Sequence, residues 1–362
     1  MMPGTLARYF GMRFFNVVAA TFAGLFALVL MVDFVELLRR TGDMKDVSAL
    51  LVAQISLFRV PHITERVIPF AVLVGAMNCY LNLSRRLELV VARSAGVSAW
   101  QFVMPAALIA LVIGILVTTV YNPVSALLRE RSERLEQGLA GEGRNLLTSD
   151  GSFWLRQRTV DGQSVINAGA SRQQGAELSN VTVFMLDHSD GFVARIQARR
   201  ATLHDGFWRL EDARIYTGEV LPASHKVYDL KTNLTRAQVQ ESFAVPESVP
   251  FWQLSSLIGV AESSGLAAIG YRLHYYQLLA MPLYLVSMVL LAAAVSLRTF
   301  RFGGIQKMVL GGITAGFLLF VLSKITGDLS KANLLPPAIA ATLPPFIGGI
   351  TGIIALLYQE DG

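Results

Sequence analysis

Charge is what this sequence has least of. Only 16% of its 362 residues are Asp, Glu, Lys or Arg, where ordinary soluble domains carry about 25%. With 53% apolar residues and a mean hydropathy of +0.49, a soluble, disordered or collagen-like chain is excluded. Cysteine is nearly absent as well. Cys79 alone rules out an internal disulfide framework and a cysteine-based zinc or iron–sulfur centre; in its apolar surroundings it reads as a small buried residue. Histidines 62, 188, 204, 225 and 274 stand singly, so no metal site is expected. The chain has no Gly-x-x-x-x-Gly-Lys-Ser/Thr loop, no His-Glu-x-x-His pair and no Gly-x-Ser-x-Gly elbow. P-loop nucleotide binding and those two hydrolytic motifs are therefore excluded. No cofactor and no catalytic residue is expected.

Long apolar runs take the place of these motifs. A helix needs ~20 mostly apolar residues to cross a bilayer, at about 1.5 Å per residue and about 30 Å of hydrocarbon. Six stretches qualify: Phe14 to Val32, Val67 to Ser84, Ser94 to Tyr121 (apolar from about Trp100), Leu273 to Leu297, Met308 to Ser323, and Ala332 to Gln359. The first is too long for a signal-peptide core and no small-residue cleavage site follows it. The expected fold class is thus a membrane α-helical protein of six transmembrane helices, three before and three after a polar insert. Residues 1–121 hold helices one to three, 122–270 the insert with its flanking helices, and 271–362 helices four to six.

The insert reads as all-β. It opens with a charged helix, Leu127 to Leu139, whose Arg129–Glu133 and Glu130–Arg134 pairs sit four residues apart. Four Asp-Gly pairs then follow, at Asp150, Asp161, Asp190 and Asp205. Asp-Gly suits the positive φ angles of tight hairpin turns. Val181 to Leu186, Phe207 to Leu210 and Ala213 to Tyr216 supply strands between them. A curved β-sandwich or open barrel is predicted, with a short amphipathic helix, Phe251 to Ser263, leading back to the membrane. Tyr271, Tyr275 and Tyr276 there form an interfacial aromatic belt.

The net charge of +5 is unevenly placed. Residues 129–270 carry 15 Lys and Arg against 17 Asp and Glu, a net of −2, which leaves +7 on the rest of the chain. A slightly acidic β domain argues against nucleic-acid binding. Cations flank the span ends eight against eight, so the positive-inside rule does not orient the chain. Basic residues on the outer face instead raise the binding of an anionic lipid, against the plain alternative that they pair with Asp33, Glu36 and other nearby acids.

Residues 84–96, Ser84-Arg-Arg-Leu-Glu-Leu-Val-Val-Ala-Arg-Ser-Ala-Gly96, are the most specific piece of sequence. Leu87, Val90, Val91 and Ser94 share a helical face, and Gly96 is a natural stop. The pattern fits an energy-coupling helix, and equally an interfacial helix pinning two spans. The run Arg86 to Val91 followed by Ser94-Ala-Gly96 resembles the coupling helix of the lipopolysaccharide export permeases, the LptF/LptG family. The first span's ending, Asp33-Phe-Val-Glu-Leu-Leu-Arg-Arg40-Thr-Gly42, is closer to the LptG branch than to LptF. Val60-Pro61, Pro69, Gly75, Asn122-Pro123 and Pro336-Pro337 are family-like too, and the similarity runs over essentially the whole chain.

The resemblance implies a non-catalytic permease subunit of an ABC transporter. Such a subunit pairs with a homologous permease (LptF) over a dimer of the cytoplasmic ATPase LptB. With LptC, the assembly moves lipopolysaccharide out of the inner membrane toward a periplasmic bridge. It implies a multi-pass inner-membrane protein with both termini cytoplasmic and a periplasmic, jellyroll-like β domain. It assigns ATPase coupling to Arg86, Glu88, Leu89 and Gly96, with Glu88 meeting a cation of the ATPase; the plain alternative is a pair with Arg85 or Arg93. It assigns lipopolysaccharide binding to Arg39, Arg40, His62, Arg131 and Arg134. Asp33 and His62 stand where family members often carry a basic residue, which shifts charge recognition toward Arg59 or Arg66. The small residues Gly311, Gly312 and Gly316 allow a permease interface or close packing within the chain. The competing classes are the sister permease and a membrane-anchored periplasmic receptor or assembly protein.

Overall fold

A computed structural model describes residues 4–42, 48–86, 88, 91, 94, 96, 98–140, 153–159, 162–172, 176–187, 191–217, 222–232, 246–263, 268–297 and 305–360. They divide into two compact units. One comprises residues 1–139, 247–254 and 269–362, the other 140–246 and 255–268.

The first unit is helical. Helix α1 (Gly4–Thr41) is followed by α2 (Ala49–Glu65) and α3 (Ile68–Arg85). Next come α4 (Ala99–Leu116), one π turn (Val117–Tyr121) and α5 (Asn122–Ala140). After the β insert and α6 (Phe251–Ser263) come α7 (Ile269–Ser296), α8 (Ile305–Lys331) and α9 (Pro337–Glu360). Among the described residues, five helical stretches are long and apolar enough to cross a membrane, and the α2–α3 pair, bent by 70° at Arg66–Val67, is a sixth when the two helices are taken as one span. The predicted second span corresponds to α3, and α2 is an additional apolar helix joined to it. Ser48 caps α2 by accepting from the Leu51 amide at 3.2 Å, and Pro69 enters α3 in its first turn, where a missing N–H is harmless. The 38 residues of α1 extend about 57 Å, so both ends pass beyond about 30 Å of hydrocarbon.

Helix α7 is the centre of this unit and packs on α9, α4, α3 and α8. The approaches are close because glycines face backbone. A Cβ on Gly114 would overlap the Cα of Pro282, and one on Gly352 would lie 2.7 Å from the Cβ of Leu290. Thr118 donates to the Leu278 carbonyl at 2.7 Å across the same seam. Phe14, Leu73, Tyr80, Phe102, Leu285 and Met288 are fully buried in the shared core, as is Cys79. Helices α1 and α8 are the least buried spans. They are also the two whose interior lacks both a proline and a break.

The second unit holds one antiparallel sheet in the order β1 to β6. The strands are β1 (Phe153–Thr159), β2 (Gly162–Arg172), β3 (Glu177–Leu186), β4 (Phe192–His204), β5 (Phe207–Tyr216) and β6 (Ala223–Lys231). Asp205-Gly206 forms the β4–β5 turn, with Gly206 at φ +86°. Gly191 closes the β3–β4 turn on the Asp187 carboxylate at 2.8 Å. The pair at Asp161 leads into Gly162, the first residue of β2, and Asp150-Gly151 lies outside the described residues. Side-chain alternation changes phase on three neighbouring strands, at Asn180 (φ 52°), at Arg199 and at Asp212 (φ 54°). The pairing register runs unbroken through all three, which lie opposite one another, so the strands kink together there with no extra residue. Aligned across β3, β4 and β5, the bends let one sheet wrap its own core of Ile166, Leu178, Ile196, Leu203, Trp208 and Leu210. The two predicted strands around Ala213 are one strand, β5, with Asp212 as the bend. Thr232, just past β6, donates to Gln157 of β1 at 2.6 Å, so the outermost strands meet. The all-β insert is therefore a curled meander in which every connection among the described residues joins sequential strands. A jellyroll or two-sheet sandwich has crossing connections; here curvature at the aligned kinks closes the core instead.

The α4–α7 contact yields a test. Gly114→Ala forces the two backbones apart, an overpacking cost of about 1–3 kcal/mol. It should lower the thermal midpoint of the detergent-purified chain, while Gly349→Ala, whose Cβ would meet nothing within 4 Å, should not. Equal midpoints would contradict this packing.

Candidate functional site

The last turn of α1 presents Arg39 and Arg40 to solvent, with side chains 77% and 58% exposed. Both guanidinium groups lean on Glu36, at 3.1 and 2.8 Å. Three and four residues apart on a helix, these side chains are neighbours, and cations are favoured at its C-terminus. The pairing is exposed, so an arriving anion competes with Glu36 at little cost.

Beside this turn, α2 offers polar residues every third position. Ser56 donates to Asp33 of α1 at 2.7 Å. Arg59 donates to the same carboxylate at 2.5 Å and to Glu136 of α5 at 3.1 Å. One turn on, Arg129 donates to Nε2 of His62 at 2.6 Å. The His62 proton therefore sits on Nδ1, which has no hydrogen-bond partner among the described residues. A further turn on, buried Glu65 accepts from Asn122 at 2.8 Å and Ser125 at 2.7 Å. The result is a ladder of three rungs tying α2 to α5, with Asp33 tying the first rung to α1. Polar groups in a membrane region are expensive unless paired, and each rung supplies the partner. Tyr121, the last residue of the π turn, contributes by donating to the Pro61 carbonyl at 3.0 Å.

At the α2–α3 bend, Arg66 lies 3.7 Å from Glu247. Burial works to raise the Glu247 carboxyl, but its own backbone amide, Arg66, His274 and Lys331 together hold it below the usual range. Phe251 stacks on Tyr275 with ring centres 5.5 Å apart, and its amide donates to Asn122 at 2.9 Å.

At the other end of α1, Glu88 accepts from Arg13 at 2.9 Å through each oxygen, and from Tyr9 at 3.2 Å. The partner is not Arg85, and Arg93 lies outside the described residues, as does Leu89. Arg86 is exposed, and Gly96 holds φ +81°, a conformation that ends the segment and favours glycine.

The sequence-flagged positions thus separate. Arg39 and Arg40 stand together on Glu36. His62 is engaged by Arg129, a residue outside the sequence-derived set. Arg134 bonds Glu130 at 2.5 Å, and Arg131 is exposed on the same helix. A Cβ on Gly312 or Gly316 would overlap Met77 or Leu73 of α3, whereas one on Gly311 would only touch Val295. Arg59 and Arg129 are the residues whose roles needed the structure. The three-residue spacing of Arg59, His62 and Glu65 was the available signal.

Long apolar helices on either side of a folded β insert, with exposed cations at one helix end, define a polytopic membrane protein. The family model for "Lipopolysaccharide export system permease LptF/LptG" matches residues 8–358. Among curated proteins, LptG of Escherichia coli K12 is 27% identical, with 95% of this chain and 96% of that protein covered. LptG of Haemophilus influenzae Rd is 24% identical over 96% of each chain. The chain belongs to the LptF/LptG family of lipopolysaccharide export permeases.

Arg59 provides the local test. Arg59→Gln leaves Asp33 and Glu136 facing each other without a cation, which should cost about 3 kcal/mol of stability. Adding Asp33→Asn should restore at least half of the lost thermal midpoint. A single variant as stable as the parent would contradict the ladder.

Proposed function

We propose that this chain is the LptG-type permease subunit of the lipopolysaccharide exporter, working beside an LptF-type partner and above an LptB ATPase dimer. The observation that carries the reading is the exposed Arg39–Arg40 pair at the end of the least buried span, in a chain whose family match is nearly complete. Lipid A phosphates are dianionic acceptors, and paired guanidiniums beside a low-dielectric region bind them by charge-assisted hydrogen bonds. Exposed Arg131 and Arg134 add to this rim on α5, while His62, whose Nδ1 is buried, supports it from within by holding Arg129 of the same helix.

In this reading α1 and α8 face the sister permease. Their exposed apolar residues, including Val32 and Val35 on α1 and Leu310, Ile313 and Phe317 on α8, supply a lipid- or partner-facing surface. Gly311, Gly312 and Gly316 set how closely α8 approaches its neighbours. Both termini and residues 84–96 are cytoplasmic, and the β meander is periplasmic. Arg86, Glu88, Leu89 and Gly96 shape the segment that docks in the ATPase, and LptC joins the periplasmic side. ATP hydrolysis belongs to LptB, so this subunit is not an enzyme.

Affinity purification from membranes tests the reading. The chain should bring down an ATPase dimer and a homologous permease. Glu88→Ala should lower ATPase recovery at least threefold with the chain's membrane level unchanged. Recovery of the chain alone would favour a membrane-anchored receptor, and undiminished ATPase recovery with Glu88→Ala would refute the coupling assignment.

A further inference from the structure

We propose that Arg13 and Tyr9 are positioning residues that join Glu88 to the first helix, so that movement of the coupling segment is delivered to α1 and carried along it to Arg39 and Arg40. The proposal rests on the reading of residues 84–96 as the ATPase-docking segment.

The geometry is that of a clamp. Arg13 Nη1 lies 2.9 Å from both carboxylate oxygens of Glu88. The Tyr9 hydroxyl donates to Oε2 at 3.2 Å and accepts from Arg13 at 2.7 Å. Tyr9 and Arg13 are four residues apart, hence on one face of α1, and the guanidinium lies 5.9 Å from the Tyr9 ring centre. The two charged side chains are 18% and 28% exposed. The pair is therefore partly shielded from water, where a hydrogen-bonded ion pair is stronger than on an open surface. A carboxylate offers about four acceptor positions. Glu88 is exposed enough to keep Arg13 and Tyr9 while presenting its remaining side to a cation of another protein.

Arg13 and Tyr9 are far from Glu88 in sequence, so the clamp is a tertiary choice. It selects, among the spans, one of the two without an internal proline or break. Proline and π turns are where helices bend, and α2–α3, α4–α5, α7 and α9 all carry one or the other. From Arg13 to Arg39 is 26 residues, about 39 Å of continuous helix. A pull on Glu88 therefore displaces the far end of α1, whereas a bent helix would absorb it.

The test uses the assembled complex of this chain, its sister permease and the ATPase in vesicles containing lipopolysaccharide. ATP hydrolysed, lipopolysaccharide released and ATPase bound per permease are measured together. Arg13→Gln should leave ATPase association unchanged and lower lipopolysaccharide released per ATP at least fivefold; Arg13→Lys should recover at least half. Tyr9→Phe, which removes only a hydroxyl, should lower the same ratio about twofold and serves if Arg13→Gln is poorly folded. An unchanged ratio in both Arg13→Gln and Tyr9→Phe would overturn the proposal. So would loss of ATPase association, since Arg13 would then serve docking and not transmission. Failure of the unaltered chain to retain the ATPase would instead bring down the docking reading beneath it.

Discussion

A single guanidinium, that of Arg59, holds two carboxylates from two other helices, Asp33 of α1 and Glu136 of α5. Both acids are largely buried, with side chains about one-tenth exposed. Removing such charges from water is costly, and a lone cation between them leaves an excess of one negative charge. That arrangement persists because Ser56 donates to Asp33 from the other side. It ties the C-terminal half of α1 to α2 and α5, so that these ends move as one, and the neighbouring rungs at His62 and Glu65 extend the link between α2 and α5.

One consequence is a division of labour among the arginines. Arg59 and Arg129 are committed to partners inside the helical unit. Arg39, Arg40, Arg131 and Arg134 are exposed, paired if at all with acids on their own helix. Such short-range pairs contribute little stability, so the exposed set is free to meet an anion while the committed set keeps its scaffold in place. Asp33, an acid among these cations, is accounted for locally, because Arg59 stands against it.

Much of the fold was legible in the sequence because the bilayer leaves few choices. Charge-free runs located the five long apolar helices and the α3 half of the bent pair, and Phe251 to Ser263 matches α6 residue for residue. Asp205-Gly206 marked a hairpin through its backbone preference alone. Helix α2 was missed as an element, since Arg59, His62 and Glu65 interrupt its apolar run; the compensating partners lie in α1 and α5, distant in sequence. The sheet's shape was only partly legible, because the kinks at Asn180, Arg199 and Asp212 arise where three paired strands bend at opposed residues and not from local composition. For the same reason the partners of Glu88 escaped notice. Arg85 and Arg93 are near in sequence, while Tyr9 and Arg13 arrive through the packing of α1 on α3 and α4.

The central claim is that the exposed end of α1 meets the phosphates of lipopolysaccharide. Val35, exposed one turn before Arg39, is the position from which to test it, by replacing it with a photoreactive residue in the chain assembled with its partners in lipopolysaccharide-containing membranes. The account predicts a crosslink to lipopolysaccharide that falls severalfold when Arg39→Ala and Arg40→Ala are combined. A crosslink of undiminished intensity in the double variant would contradict it.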